Sequence, residues 1–188
     1  MNSDYPSSLE LFQRFKQLSQ SDTLEYKCYL KEIRDRIIGS AQAKKTFMEL
    51  GIVHELLSMI KSTNSEFKQD IMTIIGSLES SRLKVGSMDR SELIREIVAL
   101  MQDEKLLAIA TRTLKLITQN GINREEANLY MKSIKMIHKS YQTSSDTNVK
   151  ENILYFIANI CTQGRDIQTV VSNGFLEILI QNLRTVNV

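Results

Sequence analysis

The sequence predicts an all-α protein, an armadillo-like right-handed α-solenoid of about four repeats. Three observations carry this reading. One proline and seven glycines in 188 residues leave long helices unbroken. Apolar residues recur at helical spacing along most of the chain, and no segment alternates convincingly enough for a strand. The third observation is an internal repeat. Gly51 and Gly174 stand in similar surroundings 123 residues apart (174 − 51), three periods of 41. That period falls within the range of armadillo and HEAT repeats.

The match extends well beyond glycine. A gapless shift of 123 lays Leu30, Ile33 and Ile37 on Ile153, Phe156 and Ile160. It lays Thr46, Phe47 and Met48 on Thr169, Val170 and Val171, and Ile52, Val53, Leu56 and Ile60 on Phe175, Leu176, Leu179 and Leu183. A shift of 82 lays Phe67, Ile71, Ile74, Ile75 and Leu78 on Val149, Ile153, Phe156, Ile157 and Ile160. One period recovered twice defines the unit: a long helix, a short helix, a glycine corner and a third helix. Glycine suits the corner because it tolerates positive φ.

Helices are predicted over 7–19, 22–38, 41–50, 52–61, 65–80, 90–102, 104–119, 124–129, 131–142, 146–162, 165–173 and 175–184. Ser7 to Glu10 has the pattern of a capping box, and Asp146 is placed to cap the helix after it. The whole chain, 1–188, reads as one repeat domain. Residues 1–21 cap it, repeats cover 22–50, 51–89, 90–130 and 131–173, and an incomplete repeat fills 174–188. Repeat three, around Leu93 to Asn120, is the least regular.

The ends of such an array must be covered, because each repeat shares its core with a neighbour. Leu9, Phe12, Phe15 and Leu18 are read as one face of an N-terminal lid. At the other end Phe175, Leu176, Leu179, Ile180 and Leu183 begin a repeat with no evident lid. Each such side chain left in water forgoes roughly 1.5–3 kcal/mol of burial. This predicts a sticky C-terminal end that meets a partner or another copy, unless the chain is a truncated family member.

Composition narrows the function. Hydrophobic residues at 42% and charged residues at 24% suit a folded domain and argue against wholesale disorder. Aromatics are only 6%, so aliphatic residues must build the core. The net charge is +2 with both signs interspersed, so a dense basic stripe for nucleic acid is absent. No apolar run is long enough to cross a membrane, and Met1 to Ser8 lacks an apolar signal core. An intracellular protein, cytoplasmic and also nuclear, is the expectation. Cys28 and Cys161 sit in apolar-periodic helices and are expected as buried free thiols rather than a disulfide.

Three stretches carry a family resemblance. They are Arg36-Ile-Ile-Gly-Ser-Ala-Gln-Ala-Lys-Lys-Thr-Phe-Met-Glu-Leu-Gly51, then Arg112-Thr-Leu-Lys-Leu-Ile-Thr with Arg124-Glu-Glu-Ala-Asn-Leu-Tyr130, and Ile160-Cys-Thr-Gln-Gly-Arg-Asp-Ile-Gln-Thr169 ending at Gly174. In order and spacing they resemble the N-terminal repeats of the armadillo scaffold subunit of the CTLH/GID ubiquitin-ligase complex. The resemblance implies a non-enzymatic subunit that joins other proteins in a ligase acting in proteasomal degradation. Its partners would be other ligase scaffold subunits. The family's C-terminal repeats, which engage the substrate receptor, have no counterpart here. The alternative is a stand-alone armadillo or HEAT adaptor for trafficking or cytoskeletal proteins.

Importin-like armadillo proteins hold a basic peptide with a Trp and an Asn four residues later. Tyr155 and Asn159 have that spacing, but the corresponding pairs Glu32/Arg36, Thr73/Ser77 and Arg112/Leu116 do not continue a ladder. Nuclear-import cargo is therefore not expected, and the ordinary reading of Asn159 is an amide satisfied by nearby backbone or water. The groove-lining helices also carry Lys31, Arg34, Lys68, Lys115 and Lys150, which suit an acidic, extended partner segment or simply a solvated face. The candidate partner-binding residues are Arg112, Lys115, Lys150, Tyr155 and Asn159. His54 and His138 lack neighbours at metal-ligand spacing and are read as surface or packing residues. No nucleotide or nucleophile motif occurs, and no catalytic, cofactor or metal site is expected.

Overall fold

A computed structural model describes residues 7–18, 23–62, 65–79, 87–162, 167–178 and 180. Among them are ten helices: α1 (Ser8–Gln17), α2 (Thr23–Gly39), α3 (Ala41–Glu49), α4 (Ile52–Ser62), α5 (Ser65–Glu79), α6 (Ser87–Leu100), α7 (Glu104–Gln119), α8 (Arg124–Thr143), α9 (Thr147–Thr162) and α10 (Ile167–Ser172). No strand occurs among the described residues. The chain forms two compact units, Met1–Asp89 and Arg90–Val188.

In the first unit, α2 packs on α1, α3 and α5, and α4 packs on α3 and α5. Leu30, Ile33 and Ile37 of α2 and Ile71, Ile74 and Ile75 of α5 are buried at helical spacing. The helix α1 packs on α2 and α3, but not through the Leu9-to-Leu18 face read from the sequence. Leu11, Phe12 and Phe15 are buried, whereas Leu9 is 46% exposed. Each i+3 step falls about 60° short of a full turn, so Leu9 to Leu18 drifts around the helix rather than forming a stripe. Phe12 meets Phe47 edge-on at 6.4 Å, and Phe15 stacks on Tyr26 at 5.1 Å. Both halves of the Ser7–Glu10 capping box form, and Lys16 pairs with Glu55 at 2.9 Å.

In the second unit, α7 packs along α9, α8 packs on α9, and α10 packs on α8 and α9. Residues 124–143 make one helix rather than the expected two. No glycine or proline interrupts them, and Tyr130, at the expected break, is fully buried edge-on to Phe156 at 4.9 Å. Asp146 accepts from the Asn148 backbone N–H at 2.8 Å, the expected cap of α9. Gly51, Gly121 and Gly174 adopt φ of 83°, 89° and 84°. Gly51 and Gly174 therefore share the corner that the repeat register assigns them.

Cys28 departs from expectation: it is exposed. It lies two residues, roughly 200° of helix, from buried Leu30 and so on the opposite side of α2. Cys161 is half-buried, and burial pushes its thiol pKa up.

Candidate functional site

The candidate partner-binding residues lie on α7 and α9 of the second unit. Helices α7 and α9 bury Leu106, Ala110, Leu114 and Ile117 on one side, and Val149, Ile153, Phe156, Ile157 and Ile160 on the other. The residues between these stripes are left outside. Arg112 is exposed, Lys115 is half-buried, and Tyr155 is 54% exposed.

The structure brings Lys115 and Tyr155 together across the two helices. The Lys115 ammonium sits 4.1 Å from the centroid of the Tyr155 ring. A cation over an aromatic face is attracted by the ring quadrupole. Arg112 stands one turn before Lys115, and neither joins an ion pair with another described residue.

Asn159 lies one turn beyond Tyr155, and its amide turns toward α7. Its Nδ2 donates to the Thr118 hydroxyl at 3.0 Å and approaches the Lys115 carbonyl at 3.5 Å. The side chain therefore ties α9 to α7, through a side-chain hydroxyl on the neighbouring helix rather than through local backbone or water alone. Lys150 lies apart from Lys115, with its ammonium 5.6 Å from the Tyr141 ring of α8.

The first unit offers a contrast in the same register. A depression of about 510 Å³ beside α2 is lined by Cys28, Lys31, Glu32, Asp35 and Arg36. Under the 123-residue shift, Glu32 and Arg36 occupy the places of Tyr155 and Asn159. Here the charges are spent on one another. Arg36 pairs with Glu32, and Arg34 bridges Asp35 and Asp70. Burial opposes the Arg34 charge, but its carboxylate partners outweigh that and raise its pKa. Of the cations expected along these helices, Arg34 is thus withdrawn, Lys31 is exposed and Lys68 is half-buried.

No cluster of His, Cys, Asp or Glu among the described residues could hold a metal ion. His54 is exposed, and His138 packs edge-on against Phe175 at 5.1 Å. Phe175 was expected at an exposed end, but it is fully buried there because α8 supplies that ring. Leu176 and Ile180 are exposed, at 42% and 41%. Leu179 and Leu183 lie outside the described residues. No described helix is long and apolar enough to cross a membrane.

Sequence reasoning missed Arg90. Its side chain reaches the backbone after α7 and the buried Glu126 of α8. Only the Asn123-x-x-Glu126 capping pattern hinted at that junction.

No family model and no curated protein matches the chain. Solved structures do. A designed armadillo repeat protein in complex with the peptide (KR)4 superposes with a TM-score of 0.71 at 19% identity, over 88% of this chain and 70% of that one. The fold is armadillo-like. Two engineered proteins agree, with TM-scores of 0.71 and 0.73 at 20% identity. They cover 91% and 93% of this chain, and 70% and 43% of their own lengths. At such identities the likeness establishes the all-α armadillo-like solenoid class.

Proposed function

We propose that the chain is a non-enzymatic protein-binding scaffold, and that the α7–α9 face takes an acidic, extended segment of a partner protein. The observation that carries this is the Lys115 ammonium held over the exposed Tyr155 ring with Arg112 one turn away. A tyrosine offers a large contact surface at small entropic cost, and unpaired cations complement carboxylates. Helices α7 and α9 carry Lys105, Arg112, Lys115 and Lys150 against Glu104 and Glu151. The designed armadillo repeat protein is in complex with a basic peptide, and this balance favours the opposite sign.

The test is a fluorescence-anisotropy titration with an acidic octapeptide alongside (KR)4. The acidic peptide should bind, and should bind more weakly as salt rises from about 50 to about 300 mM. Preference for the basic peptide, or salt-independent binding, would sink the reading.

The family resemblance extends the proposal. The partner would then be a subunit of a CTLH/GID-type ligase, and the chain would act in proteasomal degradation in the cytoplasm and nucleus. That extension rests on the three sequence stretches alone. Affinity purification with mass spectrometry should recover ring-finger and LisH/CTLH proteins. Their absence returns the chain to a free-standing adaptor for trafficking or cytoskeletal proteins.

A further inference from the structure

The two cations of the α7–α9 face have a set spacing. Arg112 and Lys115 are three residues apart on α7, so their side chains leave neighbouring points of one helix face. Thr111, Thr113 and Leu114 beside and between them are buried, which keeps that face the outward one. The Tyr155 ring, 4.1 Å from the Lys115 ammonium, fixes where that charge is presented.

No acidic side chain among the described residues pairs with either cation. Glu151, one turn before Tyr155 on α9, makes no ion pair with Arg112 or Lys115. Lys105 lies two turns before Arg112, next to Asp103 and Glu104 in sequence. The unbalanced positive charge of α7 therefore centres on the Arg112–Lys115 pair. Asn159 takes no part, since its amide is committed to Thr118.

An extended chain presents its side chains differently from a helix. Adjacent residues point to opposite sides, and alternate residues share a side at a separation of about 6.5–6.8 Å. Side chains three apart on a helix start from Cβ atoms about 5–6 Å apart. Two carboxylates separated by one residue therefore reach Arg112 and Lys115 together. Two adjacent carboxylates do not, because one of them points into solvent.

Resting on the acidic-segment role proposed for this face, we infer that Arg112 and Lys115 together read the spacing of the partner's acids. The preferred segment carries acid-x-acid, with the middle side chain turned to water. Arg112 supplies a planar fork that grips one carboxylate with two N–H donors. Lys115 supplies a point charge, anchored on Tyr155, for the other.

The experiment titrates the full chain into two fluorescent peptides, both capped at each end and identical in composition and charge. One is Asp-Ser-Asp-Ser-Asp-Ser-Asp-Ser. The other is Asp-Asp-Ser-Ser-Asp-Asp-Ser-Ser, in which no two acids are separated by a single residue. At roughly 50 mM salt the alternating peptide should bind at least about tenfold more tightly. In Arg112→Ala the two peptides should bind alike, since one cation cannot tell the spacings apart. Arg112 is exposed, and circular dichroism checks that the variant is folded. Equal binding of the two peptides to the native chain, or tighter binding of the paired one, would overturn the inference and leave the acidic-segment role standing. A preference that persists in folded Arg112→Ala would also overturn it, by placing the discrimination elsewhere. If neither peptide binds, the acidic-segment role itself fails and the spacing rule goes with it.

Discussion

The guanidinium of Arg90 lies 3.2 Å from the buried carboxylate of Glu126 and joins α6 to the corner between α7 and α8. Two carbonyls complete the junction. The Arg90 Nη2 donates to Ile117 O and Gly121 O, each at 2.7 Å. The other Glu126 oxygen accepts from the Asn123 backbone N–H at 3.0 Å, closing the capping box of α8. The Arg90 Nε–H is not aligned for a hydrogen bond, so its link to Glu126 is a charge contact.

Removing the arginine leaves Glu126 charged, buried and uncompensated. Arg90→Met should therefore lower the unfolding free energy by about 3–5 kcal/mol in urea denaturation. Glu126→Gln removes the charge yet keeps an oxygen for the Asn123 N–H, and should cost about 1–3 kcal/mol. An Arg90→Met variant as stable as the native chain would show that the junction is held by packing alone.

The two repeat-corner glycines differ in what surrounds them. A Cβ at Gly51 meets nothing within 4 Å, so Gly51→Ala should cost only the left-handed backbone strain, about 1–2 kcal/mol. A Cβ at Gly174 would lie 3.2 and 3.3 Å from the Nε2 and Cε1 of His138, whose ring is held against Phe175. Gly174→Ala should cost about 1–3 kcal/mol more. Thermal melts should rank the two variants in that order. In a His138→Ala background the difference should vanish.

Tyr26 gives the first unit a pH dependence at the alkaline end. Burial beneath Phe15 and Phe67, and then the nearby Glu55 charge, push its phenol from 10 up to about 12. The folded state thus favours the neutral phenol. Its contribution is fully present below pH 10 and is lost as pH rises through about 12. Absorbance at 295 nm should show tyrosine ionisation continuing to about pH 12, and Tyr26→Phe should remove one tyrosine's share of that late change.

Local chemistry made much of this fold legible, and non-local contacts account for what was not. The Ser7–Glu10 box, the Asp146 cap and the positive φ of Gly51 and Gly174 follow from residues within one turn of each other. The repeat register then placed the core of α2, α5 and α9. Leu9 was misplaced because a run of i+3 steps resembles a stripe in sequence and drifts on a real helix. The burial of Phe175 depends on His138, 37 residues earlier (175 − 138), and the role of Arg90 depends on residues 27 to 36 positions later. At the candidate site, sequence placed Tyr155 and Asn159 on one helix but not their different duties. Those depend on which side of α9 meets α7.

The two free thiols should separate cleanly in a labelling experiment. Cys28 is exposed on α2, whereas Cys161 is half-buried and its thiol is held protonated by burial. Thiolate is the reactive form. A limiting amount of maleimide near pH 7 should modify Cys28 first, as read by peptide mapping. Faster modification of Cys161 would mean that the C-terminal end of α9 opens in solution.

Lys115, Tyr155 and Asn159 should divide stability from binding. Tyr155 is 54% exposed, and an exposed cation–π contact is worth about 0.5–1 kcal/mol. Tyr155→Ala and Lys115→Ala should therefore change unfolding free energy by no more than about 1 kcal/mol, while weakening an acidic peptide roughly tenfold or more. Asn159 is spent inside the unit, donating to Thr118. Asn159→Ala should cost about 1 kcal/mol of stability. If Tyr155→Ala instead lowered stability by several kcal/mol and left binding intact, the tyrosine would be a packing residue that shows its edge to water. The acidic-segment reading of this face would then lose its anchor.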